Sequence, residues 1–171
     1  RQDYVILGWG DMAVNLPVSE IYQQHLDTGA DITMVCTPHY CSTPGNCEYV
    51  TLSDNGQVND LAIHPGTASG HNIYNFSRGV LQPRLHTMKI IPYVHKGYVA
   101  RFPSISGYFN DSMDLLDEQV RSDLFNPDRP IRTKDQSNPS TYYGPNAVSR
   151  HSLVADGCFI EGEVENSILS R

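Results

Sequence analysis

Val148-Ser149-Arg150-His151-Ser152-Leu153-Val154-Ala155-Asp156-Gly157-Cys158-Phe159-Ile160-Glu161-Gly162-Glu163-Val164 is the stretch whose reading decides the fold. Val148, Val154 and Ile160 stand six residues apart, and Ser152, Cys158 and Val164 form a second register at the same interval. Hexapeptide repeats of this kind predict a left-handed parallel β-helix, in which every sixth side chain points inward and stacks on the coil above. Val148, Val154 and Ile160 are therefore expected to face inward and be buried. A pair of hairpin strands with accidental spacing would give the same few matches. A solenoid needs about three or more repeats to stand, so residues 147–171 read as the start of a β-helix whose further coils follow Arg171.

Working back toward the N-terminus, residues 126–146 hold four prolines among Ser, Thr and Asn, with little apolar periodicity, and read as a linker. Before it, residues 1–125 alternate strand and helix patterns. Tyr4-Val5-Ile6-Leu7 is a short β-prone run that stops at Gly8-Trp9-Gly10-Asp11, which puts Asp11 at the carboxyl end of a buried strand. Val18, Ile21, Tyr22, His25 and Leu26 recur at helical spacing from Pro17, with Gly29 as a C-terminal cap. Ile32 to Cys36 is again strand-like, so a βαβ unit with two parallel strands is expected. Glu48 to Leu52 and Gln57 to His64 flank Ser53-Asp54-Asn55-Gly56, a hairpin signal. A strand at Ile73 to Phe76, a Ser77-capped short helix through Leu81, a strand at Lys89 to His95 and one helix from Tyr108 to Phe125 complete the pattern. Tyr108, Met113, Leu116, Val120 and Leu124 form that helix's expected buried stripe. The fold class is α/β with a mixed sheet, followed by the first coil of the β-helix.

The balance of 39% apolar and 18% charged residues over 171 positions is that of a folded globular protein. A formal charge of -7 argues against a nucleic-acid partner or an anionic membrane surface, since both require a basic field. No apolar run reaches the roughly 20 residues of a membrane span, and the N-terminus lacks a signal-peptide pattern, so the chain reads as cytoplasmic. Cys36, Cys41 and Cys47 cluster near His39, but their intervals of five and six positions are not those of ordinary zinc knuckles. Buried or loop thiols in a reducing compartment are the simpler reading.

Several strings carry a family resemblance. Gly10-Asp11-Met12-Ala13-Val14-Asn15, Gly29-Ala30-Asp31-Ile32-Thr33, Ile73-Tyr74-Asn75-Phe76 and His95-Lys96-Gly97-Tyr98 precede Met113-Asp114-Leu115-Leu116. Later come Arg129-Pro130-Ile131-Arg132-Thr133-Lys134, Ser152-Leu153-Val154-Ala155-Asp156-Gly157-Cys158, Ile160-Glu161-Gly162 and Val164-Glu165-Asn166-Ser167. Together they resemble the ADP-glucose pyrophosphorylases (glucose-1-phosphate adenylyltransferases), and among these the GlgD-type modulatory subunit. The resemblance implies the second half of a Rossmann-like nucleotidyltransferase domain over 1–125, with the Gly-rich phosphate loop lying upstream of Arg1. The interval between Arg84 and Lys89 is shorter than such chains usually show.

The family's chemistry joins ATP to glucose 1-phosphate with Mg²⁺ held between two carboxylates and a lysine on the sugar phosphate. Asp11 matches the first carboxylate and is the candidate metal ligand. In Gly97-Tyr98-Val99-Ala100-Arg101 an arginine stands at the second, and in Ile63-His64-Pro65 a histidine stands at the lysine. His64 and Arg101 are thus vestigial substrate-binding positions. A slipped register at Arg101 and a loop role for His64 remain open at this point. The implied function is a non-catalytic subunit working with a homologous catalytic subunit, with nucleotide and sugar-phosphate ligands and a doubtful Mg²⁺ site. An active sugar-phosphate nucleotidyltransferase is the alternative. A hexapeptide acyltransferase fits worse, because only His151 lies near the short repeat.

Overall fold

The computed structural model describes residues 3–8, 10–38, 48–63, 76–102, 104–133 and 137–170. The chain divides into two compact units, one formed by Leu16–Lys96 and one by Arg1–Asn15 with Gly97–Arg171. Among the described residues, two-stranded sheets and a few helices make up an α/β architecture.

In the unit Leu16–Lys96, helix α1 (Val18–Thr28) starts just after Pro17, which has φ -76° and ψ 75° and so stands outside the helix. It ends at Gly29, whose φ of +56° needs no Cβ and lets its N–H return to the Leu26 carbonyl. Strand β2 (Ile32–Cys36) pairs parallel with β5 (Ile90–Val94), Ile32 opposite Ile90. The hairpin β3 (Glu48–Leu52) and β4 (Val58–Ile63) closes through Gly56 at φ +79°, with a register shift at Thr51/Leu52. Val58, Leu61, Leu81, Leu85 and Ile90 form the core of this unit, and Ile32, Met34, Val50, Phe76 and Met88 pack against it.

Two expectations are corrected here. Tyr4–Leu7 forms no strand: it is exposed, Ile6 at 79%, and none of these residues lies in a ladder among the described residues. An apolar β-prone run becomes a buried strand only where a neighbour supplies hydrogen bonds and cover. The parallel partner of β2 is consequently β5, and the anticipated βαβ unit with Tyr4–Leu7 is not made. Ser77 also does not cap its helix. The wound segment Ser77–Leu81, continued by a 3₁₀ turn at Gln82–Arg84, begins from Phe76 with no side-chain cap. The Ser77 hydroxyl instead donates to Glu48 Oε2 at 2.6 Å. The expected strand at Ile73 to Asn75 lies outside the described residues.

In the other unit, β1 (Met12–Val14) and β6 (Val99–Arg101) run antiparallel with Met12 opposite Arg101. The single helix expected from Tyr108 to Phe125 is two, α2 (Ile105–Asp114) and α3 (Glu118–Leu124). Asp117 makes the break, because its carboxylate accepts the N–H groups of Gln119 and Val120 and starts a new helix. Ser104 caps α2 by accepting from Gly107 N at 3.0 Å. Tyr108 is exposed rather than part of a buried stripe, while Leu124 is buried and Met113, Leu116 and Val120 are half-buried.

The hexad segment contributes β7 (Tyr142–Tyr143), β8 (Val148–Arg150), β9 (Leu153–Val154), β10 (Phe159–Ile160), β11 (Glu163–Glu165) and β12 (Ile168–Leu169). These pair as β7 with β10, β8 with β11 and β9 with β12, and all three pairs are parallel, which a hairpin cannot give. Tyr142 lies opposite Phe159, Val148 opposite Glu163 and Leu153 opposite Ile168, so the chain returns beside itself after 17 and then 15 residues. His151 and Asn166, at φ 44° and 47°, occupy the same corner 15 residues apart, and His151 Nδ1 meets Asn166 Oδ1 at 2.7 Å. Ser152 and Ser167 follow them in identical roles, each hydroxyl donating to the carbonyl two residues earlier. Three hexads would take about 18 residues; left-handed residues at the corner turn the chain in fewer. Of the three residues expected inside, Ile160 is buried, Val154 is half-buried and Val148 is 38% exposed.

Candidate functional site

Asp11 precedes β1 and Arg101 ends β6, and the antiparallel register brings them together although they are 90 positions apart in sequence. Asp11 thus flanks the start of a strand, not the carboxyl end of Tyr4–Leu7 as expected. Arg101 Nη2 lies 3.6 Å from Asp11 Oδ2, with the two side chains 38% and 43% exposed. Phe102 N donates to the Asp11 carbonyl at 2.8 Å, which fixes the backbone on which both groups stand.

Acidic side chains bond the main chain of Arg101 and both the main chain and hydroxyl of Tyr98. The main-chain N–H of Arg101 bonds the Asp111 carboxylate. The Tyr98 hydroxyl shares its one proton between Asp114 Oδ2 at 3.1 Å and the Asp111 carbonyl at 3.3 Å, and Tyr98 N donates to Asp123 Oδ2 at 3.1 Å. Burial, then the neighbouring Asp114 charge, pushes the Tyr98 phenol well above its ordinary range. Burial and Asp114 also raise the Asp111 carboxyl, against the lowering effect of the Arg101 N–H. A carboxyl raised in the folded state stabilises the fold when protonated, and that contribution is lost as pH rises through its folded pKa. Asp111→Asn, which keeps an acceptor for the Arg101 N–H, is therefore expected to raise the melting temperature at neutral pH. The gain should shrink as pH falls through the raised folded-state pKa of Asp111 toward the ordinary carboxylate value of about 4, and change no further below it. Melting curves of both proteins across pH 3 to 8 test this; a variant equally stable or weaker at pH 7 contradicts it.

The residues do not fit a divalent cation. Mg²⁺ asks for several hard oxygen ligands, and among the described residues no group of three or more His, Cys, Asp or Glu side chains is arranged to hold a metal. The carboxylate of Asp11 faces a guanidinium, which supplies the positive charge a metal would bring. His64, the third candidate residue, lies outside the described residues, as do His39, Cys41 and Cys47. Cys36 is half-buried, its Sγ donates to the Met34 carbonyl at 3.6 Å, and burial pushes its thiol up; a thiol so placed is a weak nucleophile and ligand.

The sequence reading did not single out Asn15. Its amide is buried and donates from Nδ2 to the carbonyls of Leu124 and Arg129, both at 2.9 Å, while Oδ1 accepts from Arg129 Nε at 3.3 Å. The only sequence signal was its place four residues after Asp11 in a string already matched for other reasons.

No family model matches the chain. It is 29% identical over 170 residues to the glycogen biosynthesis protein GlgD of Bacillus subtilis, covering 99% of this chain and 47% of that protein. It is 32% identical over 171 residues to the GlgD protein of Geobacillus stearothermophilus, covering 100% of this chain and 47% of that one. A glucose-1-phosphate adenylyltransferase of Clostridium novyi is 25% identical over 194 residues, 98% of this chain and 51% of the enzyme. The chain spans about half the length of the curated relatives it matches. The two GlgD alignments run over this chain's own length, whereas the adenylyltransferase alignment is longer, as expected where a segment has been shortened relative to the enzyme. Over its whole length the chain is thus similar to GlgD glycogen biosynthesis proteins and, at lower identity, to glucose-1-phosphate adenylyltransferases.

Proposed function

We propose that this chain is part of a non-catalytic, modulatory subunit of glucose-1-phosphate adenylyltransferase, acting in glycogen biosynthesis in the cytoplasm beside a homologous catalytic subunit. The observation that carries the reading is the Asp11–Arg101 ion pair. A carboxylate already paired with a fixed guanidinium is a poor metal ligand, so the strand pair keeps the scaffold of the site without its charge. We assign no Mg²⁺ to this chain; nucleotide and sugar phosphate are ligands of the shared assembly. The domain plan proposed with it is a nucleotidyltransferase-like half over 1–125, a linker over 126–146, and the start of a left-handed β-helix over 147–171. The parallel pairs β8 with β11 and β9 with β12 and their repeated corner support the last part, and the pairing of β7 (Tyr142–Tyr143) with β10 carries the same ladder back into the end of the linker range.

Mixing the full-length protein with its catalytic homologue tests the proposal. The expected result is co-elution at micromolar concentration and an ADP-glucose-forming activity of the mixture that exceeds, or responds to effectors differently from, that of the catalytic subunit alone. Separate elution with unchanged kinetics would overturn it.

A further inference from the structure

Helix α3 is fastened to both strands of the pair that carries Asp11 and Arg101. At its C-terminal end the Leu124 carbonyl, one of the groups a helix leaves without an internal partner, is taken by Nδ2 of Asn15, the residue after β1. One residue earlier, the Asp123 carboxylate accepts Tyr98 N, the amide just before β6. The path β1, Asn15, α3, Asp123, Tyr98, β6 and back across the ladder to β1 is closed. Beyond α3 the chain makes a tight turn at Asn126–Arg129: Arg129 N donates to the Asn126 carbonyl at 3.0 Å and Asp128 N to Asn126 Oδ1 at 2.8 Å. The same Asn15 amide holds both the carbonyl and the Nε of Arg129. A buried asparagine with three of its four hydrogen-bond positions filled by groups more than 100 residues away has little freedom to relax if any of them moves.

We propose that Asn15 is a latch between the Asp11–Arg101 pair and the segment 126–133 that leads toward the hexad repeats, so that a change at one is felt at the other. Asn15 is a positioning residue: its side chain reaches neither Asp11 nor Arg101, and it acts through the three residues of β1. Leu124, Asn126 and Arg129 are the receiving end, and release of the latch frees the turn before it frees the strand pair, since the pair retains its ladder and the turn has only short local bonds.

Amide hydrogen exchange on the full-length protein tests this. Asn15→Ala is expected to speed exchange about tenfold or more across 124–133 while leaving the hairpin 48–63, in the other compact unit, unchanged. Arg101→Ala is expected to speed exchange at 126–133 as well, and the double variant Asn15→Ala with Arg101→Ala to show no further increase there, because both act through one connection. Additive effects, or an Arg101→Ala protein whose 126–133 amides exchange as in the wild type, would overturn the latch. Asn15→Asp serves if the alanine variant does not fold: it keeps the acceptor for Arg129 Nε and loses both donated bonds, so the same cycle applies, with partial rather than full release expected. A uniform rise in exchange that includes 48–63 marks general destabilisation and also counts against the proposal.

Discussion

Assayed alone with ATP, glucose 1-phosphate and Mg²⁺, the full-length protein containing this chain is expected to form ADP-glucose at a rate at least about fivefold, and up to about a thousandfold, below that of its catalytic homologue. The range follows from the Asp11–Arg101 pair. Two unit charges about 4 Å apart interact by roughly 4 kcal/mol at an effective dielectric of 20, or nearly a thousandfold in affinity at about 1.4 kcal/mol per decade. Both side chains are about 40% exposed, and water screens such pairs toward about 1 kcal/mol, which sets the lower end. His64 adds to the loss, since an imidazole carries no permanent charge near neutral pH with which to hold a sugar phosphate. Arg101→Asp removes the competing guanidinium and adds a second carboxylate opposite Met12 in the β1–β6 register. It should give the protein a Mn²⁺ affinity, read by electron paramagnetic resonance, that Asp11→Asn abolishes. Combined with His64→Lys it should recover measurable turnover provided the phosphate loop of the nucleotide site is intact. Robust turnover by the unmodified protein that is lost in Asp11→Asn would remove the modulatory reading and leave an active nucleotidyltransferase.

What the sequence made legible follows from what each signal specifies. Helix α1 could be read because its determinants are local: apolar residues at helical spacing, and a glycine where the backbone must turn left-handed. Hairpin β3–β4 was readable for the same reason, Asn55-Gly56 supplying the turn between two β-prone runs. Tyr4–Leu7 carries an equally good strand pattern, but pattern alone does not name a partner, and the structure leaves it exposed. Helix 108–125 was read as one because its apolar spacing runs on; Asp117 outweighed the spacing by capping a second start. The six-residue period located the parallel strands and missed the size of the step, since positive φ at His151 and Asn166 is a corner property that side-chain hydrophobicity does not encode. At the site, residue identities at 11 and 101 were readable, and their meeting was implied by the family resemblance alone, because spacing does not give a ladder register between segments 90 positions apart. Asn15 was invisible for a similar reason: its partners are backbone carbonyls, which every residue has.

Ile90→Ala is expected to be the most damaging single truncation in the unit Leu16–Lys96. Ile90 is 1% exposed, sits opposite Ile32 in the parallel ladder, and belongs to the core cluster with Val58, Leu61, Leu81 and Leu85. Removing its side chain forfeits the transfer free energy of three carbons and leaves a cavity that β-strand neighbours, held by their hydrogen bonds, cannot close; such changes cost about 2–5 kcal/mol. A whole domain is stable by only about 5–15 kcal/mol, and the cluster of five buried residues is backed only by half-buried ones among the described residues. With a urea slope of about 1–3 kcal/mol per molar, the midpoint for this unit should fall by roughly 1 M or more. Ile90→Val, which deletes one methylene and keeps the β-branch suited to a strand, should cost about 0.5–1.5 kcal/mol. Ile105→Ala is the contrast within the same chain: Ile105 is the same residue type at the start of α2, but 89% of it is exposed, and its truncation should stay within about 0.5 kcal/mol of the wild type. Urea titrations of the three full-length variants, followed by far-ultraviolet circular dichroism and by hydrogen exchange of the β5 amides, decide the ranking. An Ile90→Ala protein as stable as Ile105→Ala would mean that the parallel β2–β5 pair is not where this unit holds its stability.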